Sequence, residues 1–158
     1  SQLRGKLEVA IFTGNLPELK QLVKSGADLN ALSKDGGSPL SSAAFHGRLE
    51  HVRFLLQKGA DATKRNRDGG TPLHVAALMG RFEIAKLLLS KGGDANVRNK
   101  KGESSIDAVS GEWSDGVAGF YAFLNGLTSN KVDLQEIRKT RPHMVKLLKR
   151  GPTATLPL

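Results

Sequence analysis

The side chains of this 158-residue sequence that could support catalysis or bind a metal are four histidines and a cluster of serines. They are His46, His51, His74 and His143, with Ser38, Ser41 and Ser42. No His-x-x-x-His pair lies on one predicted helix and the chain has no cysteine, so the ligand spacing of a metal site is lacking. Ser42 and His46 are one helical turn apart, but a serine nucleophile also needs an orienting acid and an oxyanion site, and the sequence indicates neither. We therefore expect that the protein is not an enzyme and binds no metal and no cofactor.

The elements that hold these residues follow a repeat of 33 residues. The residues in phase are Gly14, Gly47 and Gly80; Gly26, Gly59 and Gly92; Asp28, Asp61 and Asp94; and Leu22, Leu55 and Leu88. The segment Thr71-Pro72-Leu73-His74-Val75-Ala76-Ala77 is in register with Ser38-Pro39-Leu40-Ser41-Ser42-Ala43-Ala44. Such a period is the mark of a repeat architecture.

Each unit reads as two short helices. Pro39 and Pro72 suit the first turn of a helix, where no backbone N–H is needed, and Gly47 and Gly80 suit its end. A second helix follows with apolar residues at i, i+3, i+4 spacing, such as Ile84, Leu87 and Leu88. Helices of about ten residues do not persist alone in water. The units must therefore stack on one another.

The T-P-L-H-x-A-A segment, followed by G-x-x-E and L-L-L-x-x-G-x-D-x-N, resembles the ankyrin repeat over residues 3–115. The resemblance implies an all-α solenoid of helix-turn-helix units with hairpin-like loops. It also implies protein recognition without catalysis, and a hydrogen-bonding role for His74 that ties repeats together. The expected units are 3–33, 34–66, 67–99 and a diverging 100–115, then a helical cap over 116–150 and a tail over 151–158.

The C-terminal cap is predicted from residues that leave the repeat. Residues 117–127 form a helical pattern with Phe120, Phe123, Leu124 and Leu127 on one face. Asp133 and Glu136 suit a capping box, and the helix that follows should be interrupted at Pro142. Four of the eight aromatic residues lie in this region, Trp113, Phe120, Tyr121 and Phe123. We interpret them as core of the cap rather than as a binding site.

The chain is basic, with 24 Lys and Arg against 15 Asp and Glu, a net charge of +9 at pH 7. Two predicted loops, 64–68 and 98–101, hold six basic groups and one acid, and Lys34 lies in the loop before them. Stacked units would place these loops side by side as a positive ridge. The ridge is either a solvated face that aids solubility or a surface for an acidic partner.

Positions after the paired alanines form a second row at the 33-residue period. They are Phe12, Phe45 and Leu78, followed by Thr13, His46 and Met79. The row is either packing between neighbouring helices, which we favour, or a groove for a partner.

We predict a non-catalytic scaffold that binds an acidic protein surface through its concave face and loops; the alternative is an anionic polymer, nucleic acid or polysaccharide, bound by the ridge. The predicted partner-binding residues are Lys34, Phe45, His46, Lys64, Arg65, Arg67, Leu78, Met79, Arg98, Lys100 and Lys101. We expect a monomer with no membrane insertion and no signal peptide in residues 1–20, and the compartment stays open.

Overall fold

The structure is a computed structural model that describes residues 2–151, and this part of the chain is all-α. Nine helices lie in it: α1 Gln2–Thr13, α2 Leu16–Lys24, α3 Pro39–Phe45, α4 Leu49–Gln57, α5 Pro72–Leu78, α6 Phe82–Ser90, α7 Ser105–Ser110, α8 Asp115–Leu127 and α9 Leu134–Arg150. We call α1, α3, α5 and α7 the inner helices and α2, α4 and α6 the outer helices. None of the described helices is both long and apolar enough to cross a membrane.

The inner helices begin where the sequence predicts. The Ser38 hydroxyl accepts the N–H of Ser41, and the Thr71 hydroxyl accepts the N–H of His74, so both residues cap a helix whose first residue is proline. Ser104 caps α7 in the same way. The prediction of helix starts from Pro39 and Pro72 is confirmed.

The core runs through the stack along the repeat period. Successive inner helices pack side by side, each outer helix packs on the inner helix before it, and neighbouring outer helices also touch. Leu22, Leu55 and Leu88 are buried between these layers at 33-residue intervals. The short helices are therefore stabilised by their neighbours, as stacking requires.

Hairpin-like loops join the units and bond to one another. In one loop the N–H of Asn66 donates to the carbonyl of Gly70. Across the loops the N–H of Arg67 donates to Gly36, and that of Lys100 donates to Asp68. The loops thus form one continuous edge of the molecule.

The C-terminal region leaves the stack and turns back over it. The Tyr121 hydroxyl of α8 donates to the carbonyl of Leu78 at 2.6 Å. Thr128, just beyond α8, lies at the end of α3 against Phe45 and His46. The helix therefore crosses the inner helices from the fourth unit towards the second. After the turn, α9 packs against α7.

Two expectations for this region are corrected. α9 continues through Pro142, because residues on both sides of the proline, including Ile137 and Met144, are buried and hold the helix in place. In α8 the buried aromatic is Tyr121, while Phe120 and Phe123 are exposed. The Tyr121 hydroxyl donates to the Leu78 carbonyl, and this bond favours packing of the face of α8 that carries Tyr121.

The remaining expectations for this region have mixed outcomes. Asp133 caps α9 by accepting the N–H groups of Gln135 and Glu136, as predicted. The Glu136 carboxylate contacts Lys139 instead of closing a capping box. The predicted tail, apart from Gly151, lies outside the described residues.

Candidate functional site

A groove runs across the inner helices of the described chain. It consists of two adjoining cavities of about 690 and 770 Å³ that share Asn66 and Val75. The inner helices form its floor, with Phe12 and Phe45 in the first cavity and Leu78 in the second. Because the cavities share residues, they form one surface that spans all four units.

One side of the groove is the edge formed by the loops, which we call the loop wall (residues 33–37, 64–70 and 98–103). It holds seven basic and three acidic residues, a net charge of +4. Lys100, Lys101 and Glu103 face the second cavity, and Asp35 faces the first. The loop wall is therefore polar and positively charged.

The opposite side is α8, and it is apolar. Phe120 lines the second cavity and Leu127 the first. Phe123 lies on the same face, because residues 120, 123 and 127 fall within about 60° on a helix. Within residues 2–151 the exposed large hydrophobic side chains are Val9 (62% exposed), Phe12 (48%), Phe120 (46%), Phe123 (65%) and Leu127 (53%). Four of these five side chains line the cavities of the groove, and Phe123 lies beside them on α8 without lining either cavity.

A short segment, Thr128–Asn130, holds α8 in this position, and we call it the return segment. The Arg48 side chain donates to the Ser129 hydroxyl at 3.0 Å, and Arg81 donates to the Asn130 carbonyl. These contacts join parts of the sequence 49 and 81 residues apart.

Arg48 and Arg81 also satisfy the ends of the inner helices. Arg48 donates to the carbonyls of Ile11 and Phe12, and Arg81 donates to that of Phe45 at 3.1 Å. Carbonyls at a helix C-terminus lack partners within the helix and favour a nearby cation. Burial, together with the neighbouring Arg48, lowers the pKa of Arg81 to about 10. Arg81 therefore still carries its charge at neutral pH.

Gly47 leaves room for this arginine. Its φ is +65°, which disfavours other residues, and a Cβ there would stand 2.7 Å from the central carbon of the Arg81 guanidinium. Gly47 thus allows the backbone turn and also leaves space for the Arg81 side chain that passes over it.

His46 joins the floor of the groove to the return segment. Its Nδ1 accepts the N–H of Ser129 at 3.1 Å, which fixes the neutral ring with its proton on Nε2. Burial lowers the pKa of His46; Arg48 and Arg81 lower it further, and Glu8 opposes them. Burial first, and the two arginines second, thus favour the neutral form of the His46 ring.

The basic residues of the loop wall divide into two groups. Arg65 donates to the carbonyls of Gly69 and Arg98, and Arg67 donates to that of Lys34 at 2.9 Å. Arg98 pairs with the Asp107 carboxylate at 2.8 Å. The arginines therefore hold the loops together, in addition to the positive charge they carry.

The lysines form the second group. In the part of the chain that the structure describes, the ammonium groups of Lys34, Lys64, Lys100 and Lys101 make no hydrogen bond or ion pair. Their charges are available to an external ligand.

The structure places the predicted apolar row at the groove, with two of its members inside the protein. Phe45 and Leu78 are half-buried and line the cavities. Phe12 also lines the first cavity. Met79 is fully buried, and His46 is 6% exposed. Met79 therefore packs within the protein, and His46 lines the groove mainly as an anchor for the return segment.

Of the side chains singled out for chemistry, Ser42 and His74 have structural partners, while Ser41 Oγ and His51 Nε2 are buried without a hydrogen-bond partner in the described chain. The Ser42 hydroxyl donates to Glu8, and the Glu8 carboxylate also pairs with Arg4 at 2.7 Å. His74 accepts the N–H of Thr71 through Nδ1, so its Nε2 donates to the Glu103 carbonyl at 3.0 Å. This is the tie between repeats that the family resemblance implies for His74.

No group of three potential metal-ligating side chains occurs within the described residues.

Reasoning from the sequence missed Arg4, Arg48, Arg81 and the role of Tyr121. Arg48 and Arg81 carried a signal, since they recur at 33 residues directly after the glycines. Tyr121 carried none, because its partner is a backbone carbonyl 43 residues away.

The fold and its inter-repeat bonds define a helix-turn-helix solenoid with a walled groove. The chain belongs to the ankyrin repeat family, since the family model for ankyrin repeats matches residues 7–99 in three copies. Members of this family are generally protein–protein interaction modules and typically non-enzymatic scaffolds. Comparison with curated proteins gives no match.

Proposed function

We propose that the chain binds a protein partner in the groove between the loop wall and α8, and that the partner's surface is acidic. The observation that carries this is the gathering of the exposed large hydrophobic side chains around one groove. Large exposed apolar patches on a soluble protein mark interaction sites. The residues we assign to apolar contact are Phe12, Phe45 and Leu78 on the floor.

The loop wall supports the sign of the partner's charge. Lys34, Lys64, Lys100 and Lys101 have no carboxylate partner in the described structure, and the loop wall as a whole carries +4. Such a surface attracts an acidic protein and speeds encounter. The arginines Arg65, Arg67 and Arg98 contribute charge while they hold the loops in place.

Affinity capture tests this function. The full chain would be immobilised beside two variants, Phe45→Asp and the pair Lys100→Glu with Lys101→Glu. Proteins retained by the parent chain and lost by both variants are groove partners. A pair of exposed lysines at the C-terminal ends of two outer helices, Lys24→Glu on α2 with Lys91→Glu just after α6, is the matched charge control.

The proposal would be contradicted if every retained protein bound the Phe45 and lysine variants as well as it binds the parent chain. Retained nucleic acid, lost steeply with salt and insensitive to Phe45→Asp, would favour the polymer alternative.

A further inference from the structure

We propose that the occupant of the groove is a single amphipathic α-helix of the partner, with its apolar side against α8 and its carboxylates against the loop wall. This inference rests on the proposed function and adds the form of the bound segment. The chemistry of the two walls, the bonding of the loops and the length of the groove support it.

The two walls differ in chemistry, so the occupant needs two different sides. Phe120, Phe123 and Leu127 present apolar surface from α8, and Val9 and Phe12 continue it on α1. The loop wall opposite presents lysine ammonium groups. A segment with an apolar stripe and an acidic stripe matches both walls at once.

Five acidic side chains line the groove; three are engaged within the chain, and the carboxylates of Asp35 and Glu103 have no partner among the described residues. Asp107 pairs with Arg98, Glu8 pairs with Arg4, and Asp68 accepts the N–H of Gly70. Lys100 and Lys101 at the second cavity have no such partner among the described residues. Carboxylates on the occupant would meet these two charges.

The loops do not offer an extended segment a backbone edge. The N–H groups of Asn66, Arg67 and Lys100 already donate to Gly70, Gly36 and Asp68 respectively. An extended peptide against an apolar groove would leave its own N–H and C=O groups without partners, at a cost in free energy. A helix satisfies these groups internally.

The length of the groove also suits a helix. Four inner helices spaced by up to about 10 Å span roughly 30 Å, which about 20 helical residues would cover. α8, with 13 residues, already runs about 20 Å along the same direction. The occupant would therefore lie alongside α8 as a second helix.

Three designed peptides of equal length test the form and the charge of the occupant. The first places leucines at i, i+3, i+4 and i+7 with glutamates on its other side. The second replaces these glutamates with lysines, and the third reorders the first so that leucine and glutamate alternate. Binding to the full chain is measured by fluorescence anisotropy, and helix formation by circular dichroism.

The acidic helical peptide should bind at least tenfold more tightly than either of the others, and it should gain helicity on binding. Phe120→Ser with Phe123→Ser should weaken its binding about tenfold with only a small fall in the unfolding midpoint, because Phe123 is 65% exposed and Phe120 46%. The control is Phe54→Ser on α4, where the ring lies away from the groove, near Lys20 of α2 and Lys58 just after α4.

The inference would be overturned if the helical and alternating peptides bound equally tightly. It would also be overturned if the acidic helical peptide did not bind, or if its binding did not change with the α8 substitutions. Should captured proteins still depend on Phe45 and the lysines in any of these cases, the proposed function would stand and only the helical occupant would fail.

Discussion

Arg48 and Arg81 occupy the same position in successive repeats and make equivalent contacts. Each lies after the glycine that ends an inner helix and returns its guanidinium to carbonyls of the preceding unit. Each also reaches the return segment. Two side chains thus join the repeat array to a segment that the repeat pattern does not include.

Arg81→Ala should lower the free energy of unfolding by about 2–4 kcal/mol. The substitution removes the charged donor from the Phe45 carbonyl, where the bond is partly buried, and from the Asn130 carbonyl, where it is exposed. Denaturant unfolding checks the value. Arg53→Ala is the control, because its ion pair with Glu50 is exposed and should contribute under about 0.5 kcal/mol. Equal effects of the two substitutions would mean that the Arg81 contacts do not stabilise the fold.

His46 should make the stability of the protein depend on pH. Its folded-state pKa lies below the ordinary 6.5, so the unfolded chain binds more protons as the solution becomes acidic. The stability it contributes is fully present above about pH 6.5 and is lost as the pH falls through the folded-state pKa. His51, whose pKa burial also lowers, acts in the same direction.

Unfolding free energies of the parent and His46→Gln, measured from pH 7.5 to pH 5, check this. Glutamine keeps an acceptor for the Ser129 N–H but does not titrate. The variant should lose less stability over this range than the parent. An identical slope for the two proteins would show that His46 is not the titrating group.

At the scale of the helices, packing between repeats carries the stability. Leu88 on α6 is fully buried in the shared core, so Leu88→Ala should cost about 2–5 kcal/mol. Denaturant unfolding monitored by circular dichroism measures the loss. A loss under about 1 kcal/mol would contradict the burial of this leucine between units.

Among the basic residues of the loop wall, we expect the arginines to contribute to the free energy of unfolding and the lysines to contribute little. Arg65→Ala with Arg67→Ala removes side-chain bonds to three carbonyls and should lower the unfolding free energy by about 1–2 kcal/mol. Lys100→Ala with Lys101→Ala should change it by no more than about 0.5 kcal/mol per residue. Thermal unfolding of the two double variants compares them directly. Similar losses in both would mean that the lysines also support the loops.

The sequence predicts the helices of the array well, because proline, glycine and leucine recur there at one period. It predicts α8 as a helix but not the face that packs. Phe120 and Tyr121 are adjacent, and the packing of Tyr121 is decided by the Leu78 carbonyl far along the chain. The groove wall formed by α8 therefore requires the tertiary structure. The floor of the groove, by contrast, follows from the phase of Phe12, Phe45 and Leu78.

For the whole molecule, the return of α8 over the inner helices changes what the concave face can contact. The loop wall and α8 stand on opposite sides of one floor, and the floor spans the four units. Under the proposed function, a protruding segment of the partner would lie between the two walls and contact Phe45 and Leu78 on the floor.

The most direct test of the central claim, that a protein partner occupies this groove, is the binding kinetics of a captured partner at low and high salt. We predict that Phe45→Ala chiefly raises the dissociation rate, since the ring contributes apolar contact. Lys100→Ala with Lys101→Ala should lower the association rate and flatten its dependence on salt, since these charges steer encounter. Unchanged rates in both variants, with unfolding midpoints equal to that of the parent, would contradict the account.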